Sequence, residues 1–129
     1  MAQKIIFVED DLMIADVYKT GFKDSGLDIE VVSRGEEMIK RIKKMQDEDA
    51  EKPALFIVDL ILPDINGIEV LKEIKNNKAV KDIPVFILSN YLSPDLQKPD
   101  SPKPDKFILK IDTTPAKLIK IIKNELGIV

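Results

Sequence analysis

Apolar residues gather into five short runs, at positions 5–8, 29–32, 55–58, 85–88 and 107–109, each rich in Ile, Val, Leu or Phe. Most are continuous rather than alternating, the pattern of strands covered on both faces of a parallel sheet. Between the runs the apolar period changes to that of helices. Ile14, Val17, Tyr18 and Phe22 are predicted to share one helix face, and Met38, Ile39, Ile42 and Met45 a second. Val70, Leu71 and Ile74 mark a third face, and Leu118, Ile119, Ile122 and Leu126 a fourth. Alternation of this kind predicts an α/β fold with right-handed crossovers.

Punctuation agrees with the pattern. Asp11 and Asn66 are placed to cap the first and third helices, and Pro115 suits the first turn of the last. Gly26 is expected to end the first helix, Gly35 to lie in a strand-to-helix turn, and Gly127 to follow the last helix. One segment departs from the rhythm. Residues 90–105 read NYLSPDLQKPDSPKPD, and four prolines leave no room for a long helix, since each costs about 3 kcal/mol in a helix interior. At most one turn is expected there, capped by Ser93 with Pro94 at its first position. No repeat and no linker interrupt the chain, so residues 1–129 are read as a single domain.

Composition narrows the chemistry. The 129 residues include no Cys and no His, which excludes disulfides, thiolate or imidazole metal sites, and Cys- or His-based catalysis. Twenty basic against 23 acidic residues give a net charge of −3, so no basic nucleic-acid face is expected. The aromatic residues are five Phe and two Tyr, too few for a base-stacking platform. No apolar run reaches the ~18–20 residues of a membrane span, and the N-terminus lacks a signal-peptide layout. A soluble cytoplasmic protein is expected.

Polar clusters directly follow the predicted strands: Glu9-Asp10-Asp11, Asp59, Ser89-Asn90 and Lys110. Ligand sites of open α/β sheets lie at the carboxyl ends of the strands, so these residues are predicted to converge. Glu9, Asp10 and Asp59 make an all-oxygen set that suits Mg²⁺. A carboxylate beside Mg²⁺ stays ionised and can act as a nucleophile, with Lys110 and the Ser89 hydroxyl as partners for a phosphoryl oxygen.

The sequence resembles the receiver domain of two-component response regulators along essentially its whole length. KIIFVEDD resembles the family's first strand with its acidic pair, on Glu9 and Asp10. FIVDLILPDINGIEVL is the most specific match: its D-x-x-L-P-x-x-x-G pattern puts the phosphoacceptor on Asp59, followed by Leu62, Pro63 and Gly67. FILSN puts the switch hydroxyl on Ser89, and FILK puts the lysine on Lys110 and the switch aromatic on Phe107. The resemblance implies a flavodoxin-like, doubly wound five-stranded parallel sheet of order 2-1-3-4-5, its fourth helix absent or reduced to about a turn. It implies Mg²⁺ held by Asp10, Asp59 and the Ile61 backbone carbonyl, with Glu9 acting through a metal-bound water. It implies phosphotransfer to Asp59 from a sensor histidine kinase or phosphotransfer protein, followed by a shift of the Ser89 and Lys110 loops. Beyond its own phosphorylation and dephosphorylation no enzymatic activity is implied. A monomer without direct contact to nucleic acid or membrane is expected, either stand-alone or cut from a longer protein.

Departures qualify the match. Ile111 stands where the family usually has proline after the lysine, often in a cis peptide; a trans bond and an altered lysine loop are expected. Asn90 replaces a small residue after the switch hydroxyl and is expected to narrow phosphoryl access. Lys103-Pro104-Asp105 replaces a glycine-alanine pair before the last strand. Residues 90–105 are the expected responsive segment. Two other readings stay open: a pseudo-receiver that binds a partner without phosphorylation, and a small Mg²⁺-dependent phosphohydrolase. The latter lacks a second Asp two positions after Asp59. No P-loop pattern is present.

Overall fold

In the computed structural model, which describes residues 3–128, five strands form one parallel sheet of order β2-β1-β3-β4-β5. The strands are β1 (Gln3–Val8), β2 (Leu27–Val32), β3 (Leu55–Val58), β4 (Val85–Ser89) and β5 (Lys106–Leu109). Each apolar run lies inside one of them. The helices are α1 (Leu12–Gly21), α2 (Gly35–Lys44), α3 (Gly67–Lys75) and α4 (Pro115–Leu126). The central strands β3 and β4 are buried at every position, because helices cover both faces of the sheet. Met38, Ile42, Val70, Leu71 and Ile74 pack on one face, and Tyr18, Phe22, Leu118 and Ile122 on the other. Among the described residues no helix is long and apolar enough to cross a membrane.

Local signals act as the sequence predicts at most ends. Asp11 Oδ1 accepts the N–H groups of Met13 and Ile14, and Asn66 Oδ1 that of Ile68. Gly127 closes α4 with φ at +69°. Two expectations are corrected. Val17 is 56% exposed and does not share the buried face of α1. That face is set by Tyr18 and Phe22 against β1, with the Phe7 and Tyr18 rings edge-to-face at 5.5 Å. At about 100° per residue, Val17 falls roughly 115° from the middle of the arc holding Ile14, Ala15, Tyr18 and Phe22. Gly26 does not end α1 either. The helix stops at Gly21, and a turn follows in which Asp24 and Gly26 take positive φ. Ser25 Oγ stabilises that turn, donating to Phe22 O at 2.6 Å and accepting the Leu27 N–H at 3.0 Å.

The β4–β5 crossover has one short 3-10 turn, Pro94–Gln97, capped by Ser93 as expected. Side chains hold the rest. The Lys103 ammonium donates to Leu96 O, to Lys98 O at 2.7 Å and to Ser101 Oγ at 3.1 Å. Asp105 seats the start of β5: its Oδ2 accepts the Val85 N–H at 2.7 Å and the Lys75 ammonium at 3.2 Å, while its own N–H donates to Val85 O. A carboxylate-centred clamp thus fixes the start of β5 against β4.

On the outer edge, Glu30 of β2 bonds both terminal guanidinium nitrogens of Arg41 and the Lys4 ammonium, the last at 2.8 Å. Arg41 first, then Lys4, pulls the Glu30 carboxyl down to about 2. A depressed folded-state value adds stability above the unfolded value of about 4.3 and loses it as pH falls toward about 2. Glu30 is 37% exposed, so solvent screening limits the network to about 1 kcal/mol. Glu30→Gln is expected to lower stability by that amount at neutral pH, with the gap shrinking at pH 3. Urea unfolding of both proteins at the two pH values checks this; an equal gap at both would show the cause is not charge.

Candidate functional site

Three strands deliver the site. β1 ends at Val8 and β3 at Val58, and they pair in register, Val8 opposite Val58. The next residues, Glu9 and Asp59, therefore leave the sheet side by side. Ser89 ends β4, opposite Leu109 of β5, so Lys110 emerges beside it. The four polar clusters predicted to converge do so. Glu9, Asp10, Asp59, Ser89, Asn90 and Lys110 line one open pocket of about 340 Å³.

Lys110 is the hub. Its ammonium donates to Glu9 Oε1 at 2.5 Å and to Asp59 Oδ2 at 2.7 Å. Asp59 Oδ1 accepts the Ile61 N–H at 3.2 Å, so a backbone bond and a charged bond together orient the carboxylate. Glu9 is wholly buried, and burial pushes its carboxyl up to about 7 against the pull of Lys110. Burial works to lower the Lys110 ammonium, but the bonds to Asp59 and Glu9 outweigh it and hold the group above its usual value. Asp10 is exposed at the rim. Ser89 is buried, and its Oγ accepts the Tyr91 N–H at 3.2 Å.

One carboxylate oxygen from each of Glu9, Asp10 and Asp59 lies within 4.8 Å of the others. Three hard oxygen donors facing one ammonium leave excess negative charge, and this donor set fits a divalent cation such as Mg²⁺. Ile61 lies on the pocket wall. Phe107 is not part of the pocket lining; it is half-buried and packs against the core cluster that includes Val85 and Ile87 of β4, as does Leu96 of the 3-10 turn.

Two polar residues have structural roles that the sequence does not disclose. Arg34, at the cap position of α2, makes no side-chain cap bond. Asp64 supplies it from 29 positions away, accepting the Gly35 N–H at 3.0 Å and the Glu36 N–H at 2.9 Å. Those bonds hold its carboxyl below the usual carboxylate range and pin the loop after Asp59 to α2. The other is Asn90. It lies on the pocket wall, and its Oδ1 accepts the Ile111 N–H at 2.9 Å. The Lys110–Ile111 bond is trans, like every peptide bond among the described residues. An Asp after Pro63 and an Asn after a strand both read locally as turn residues. Neither has a sequence signal naming its distant partner.

Comparison with known proteins agrees with this geometry. A family model described as the response regulator receiver domain matches residues 5–123. The alkaline phosphatase synthesis transcriptional regulatory protein PhoP of Bacillus subtilis (strain 168) is 33% identical over 89 residues, covering 69% of this chain and 34% of PhoP. The chain spans about a third of the length of the curated relatives it matches. Among solved structures, the phosphorylated cyanobacterial phytochrome response regulator RcpA is 27% identical, with a TM-score of 0.78 over 97% of this chain and 91% of that one. The receiver domain of sensor histidine kinase PA1611 from Pseudomonas aeruginosa PAO1, with magnesium in its active-site cleft, shares the fold at 20% identity and a TM-score of 0.79, over 98% and 99% of the two chains. With the sheet order, the acidic rim and the lysine already in place, the match over residues 5–123 assigns this chain to the response regulator receiver domain family.

Proposed function

We propose that this chain accepts a phosphoryl group on Asp59 and changes the arrangement of its Ser89 and Lys110 segments in response. The observation that carries the reading is the Lys110 ammonium bonded to both Glu9 and Asp59 beside Asp10. A nucleophile, a cation to receive the phosphoryl charge and a divalent-cation donor set are then within one pocket.

The donor is a phosphohistidine on a sensor histidine kinase or phosphotransfer protein, or a small acyl phosphate. An Asp59 carboxylate oxygen forms a bond to phosphorus while the phosphorus–nitrogen bond of the phosphohistidine, or the phosphorus–oxygen bond of the acyl phosphate, breaks in line, and the departing imidazole nitrogen or carboxylate oxygen keeps the electron pair. Glu9, Asp10, Asp59 and the Ile61 carbonyl would hold Mg²⁺, Glu9 through water. Bound there, Mg²⁺ supplies charge neutralisation for the carboxylates and the phosphoryl oxygens. The Lys110 ammonium then exchanges a carboxylate oxygen for a phosphoryl oxygen, and the Ser89 hydroxyl donates to another. Catalysis is positioning and electrostatic stabilisation of a loose transition state. The readout is a local charge event on a surface with two arrangements. Residues 1–129 act as one domain, a monomer that itself contacts neither nucleic acid nor membrane.

Incubation with Mg²⁺ and acetyl phosphate tests this by intact mass. A phosphate adduct is expected on the wild type, and none on Asp59→Asn or with a chelator present. Adduct on Asp59→Asn at the wild-type level would move the acceptor elsewhere. No adduct and no Mg²⁺-dependent NMR shift would favour a phosphorylation-independent binding module.

A further inference from the structure

Asn90 and Ile111 each follow a residue of the site directly, Asn90 after Ser89 and Ile111 after Lys110. The register of β4 and β5 ends at Ser89 opposite Leu109. The bond from the Ile111 N–H to Asn90 Oδ1 therefore extends the tie between these two strands past their last ladder position. A backbone N–H can only donate, so the atom facing it is the amide oxygen. Core packing does not account for the bond, because Asn90 is exposed and Ile111 is 77% exposed. The bond also needs an N–H at position 111, which a proline there would lack.

Lys110 is bracketed as a result. Leu109 is held by the sheet ladder and Ile111 by Asn90. A lysine side chain is flexible, so where its ammonium settles depends on the backbone that launches it. Ser89 is fixed on the other side of the same tie, its Oγ closing the turn to the Tyr91 N–H.

We propose that Asn90 is a positioning residue: through the Ile111 N–H it sets the entry of Lys110 into the pocket and couples the Ser89 segment to the Lys110 segment. The proposal rests on the phosphoacceptor reading of Asp59 for its functional consequence. It replaces the expectation that Asn90 acts by crowding the pocket. The two ideas differ in sign. Shortening a crowding side chain opens access and speeds phosphorylation, whereas removing a tie slows it.

The test compares Asn90→Ala, Asn90→Leu and Asn90→Asp in the full chain. Leu keeps the bulk without the acceptor, and Asp keeps an acceptor oxygen at the same reach. NMR without any phosphodonor reads the Ile111 amide exchange and the Lys110 side-chain resonances. Intact mass reads adduct formation at saturating acetyl phosphate with Mg²⁺. Ala and Leu are both expected to expose the Ile111 amide, shift the Lys110 resonances and slow phosphorylation by about threefold to tenfold, the value of one hydrogen bond. Asp should keep the Ile111 amide protected. Unfolding midpoints should not move, since the site of change is exposed. An Ala variant as fast as or faster than wild type overturns the proposal, and so do unaltered Ile111 exchange or unaltered Lys110 resonances. A wild type that forms no adduct defeats the phosphoacceptor reading instead, and the two NMR signals still judge the tie.

Discussion

Lys110→Ala is expected to bind Mg²⁺ at least as well as the wild type, to phosphorylate slowly, and to show none of the NMR shifts that follow phosphorylation. The Lys110 ammonium sits on the same Glu9 and Asp59 oxygens that would face a divalent cation. Its removal takes away a competing positive charge and leaves the acidic set intact. It also removes the ammonium that can follow the charge from carboxylate to phosphoryl oxygen. A charge-assisted hydrogen bond is worth about 1.5–3 kcal/mol, so the adduct should form roughly 10- to 100-fold more slowly. Mg²⁺ titration by NMR and an intact-mass time course separate the two effects. A variant that still gave the full phosphorylation-dependent shift would remove Lys110 from the switch.

Gly67→Ala is expected to damage both fold and site. Gly67 opens α3, and its N–H donates to Leu60 O at 2.8 Å. A Cβ there would stand 2.0 Å from the Asp59 carbonyl oxygen and 2.8 Å from Leu60 Cα. Both are backbone atoms and cannot rotate away. Either α3 withdraws by about an ångström or the β3 end carrying Asp59 is displaced, at a cost of about 3 kcal/mol. Misplacement of a reacting group by about 1 Å can cost on the order of a hundredfold in rate. Urea unfolding and the adduct time course measure the two losses. A variant with wild-type stability and rate would show that this close approach is not needed.

The same glycine shows why part of the site is legible in the amino-acid sequence. It belongs to the D-x-x-L-P-x-x-x-G run after β3, where spacing along one loop decides the geometry, so position along the chain is enough to mark Asp59 and Gly67. Glu9, Ser89 and Lys110 are marked by their places at strand ends, because a parallel sheet brings those ends to one edge. Val17 misleads because an apolar residue near the edge of a helical stripe has the same period as one at its centre. Gly26 misleads because glycine serves turns as readily as helix ends.

The alternation of strands and helices, the all-oxygen donor set, the exclusion of histidine and cysteine chemistry and the loss of a crossover helix all follow from the order of residues in the chain. Each depends on residue type or on spacing within a few positions. The folded chain was needed to establish that Lys110 bridges Glu9 and Asp59, that Asp64 caps α2, that Asp105 clamps β4, and that Asn90 holds the Ile111 N–H. Those are single hydrogen bonds between residues at least 20 positions apart in the chain. A bond of that kind depends on where two backbones come to rest to within an ångström, and no local preference of either partner carries that information.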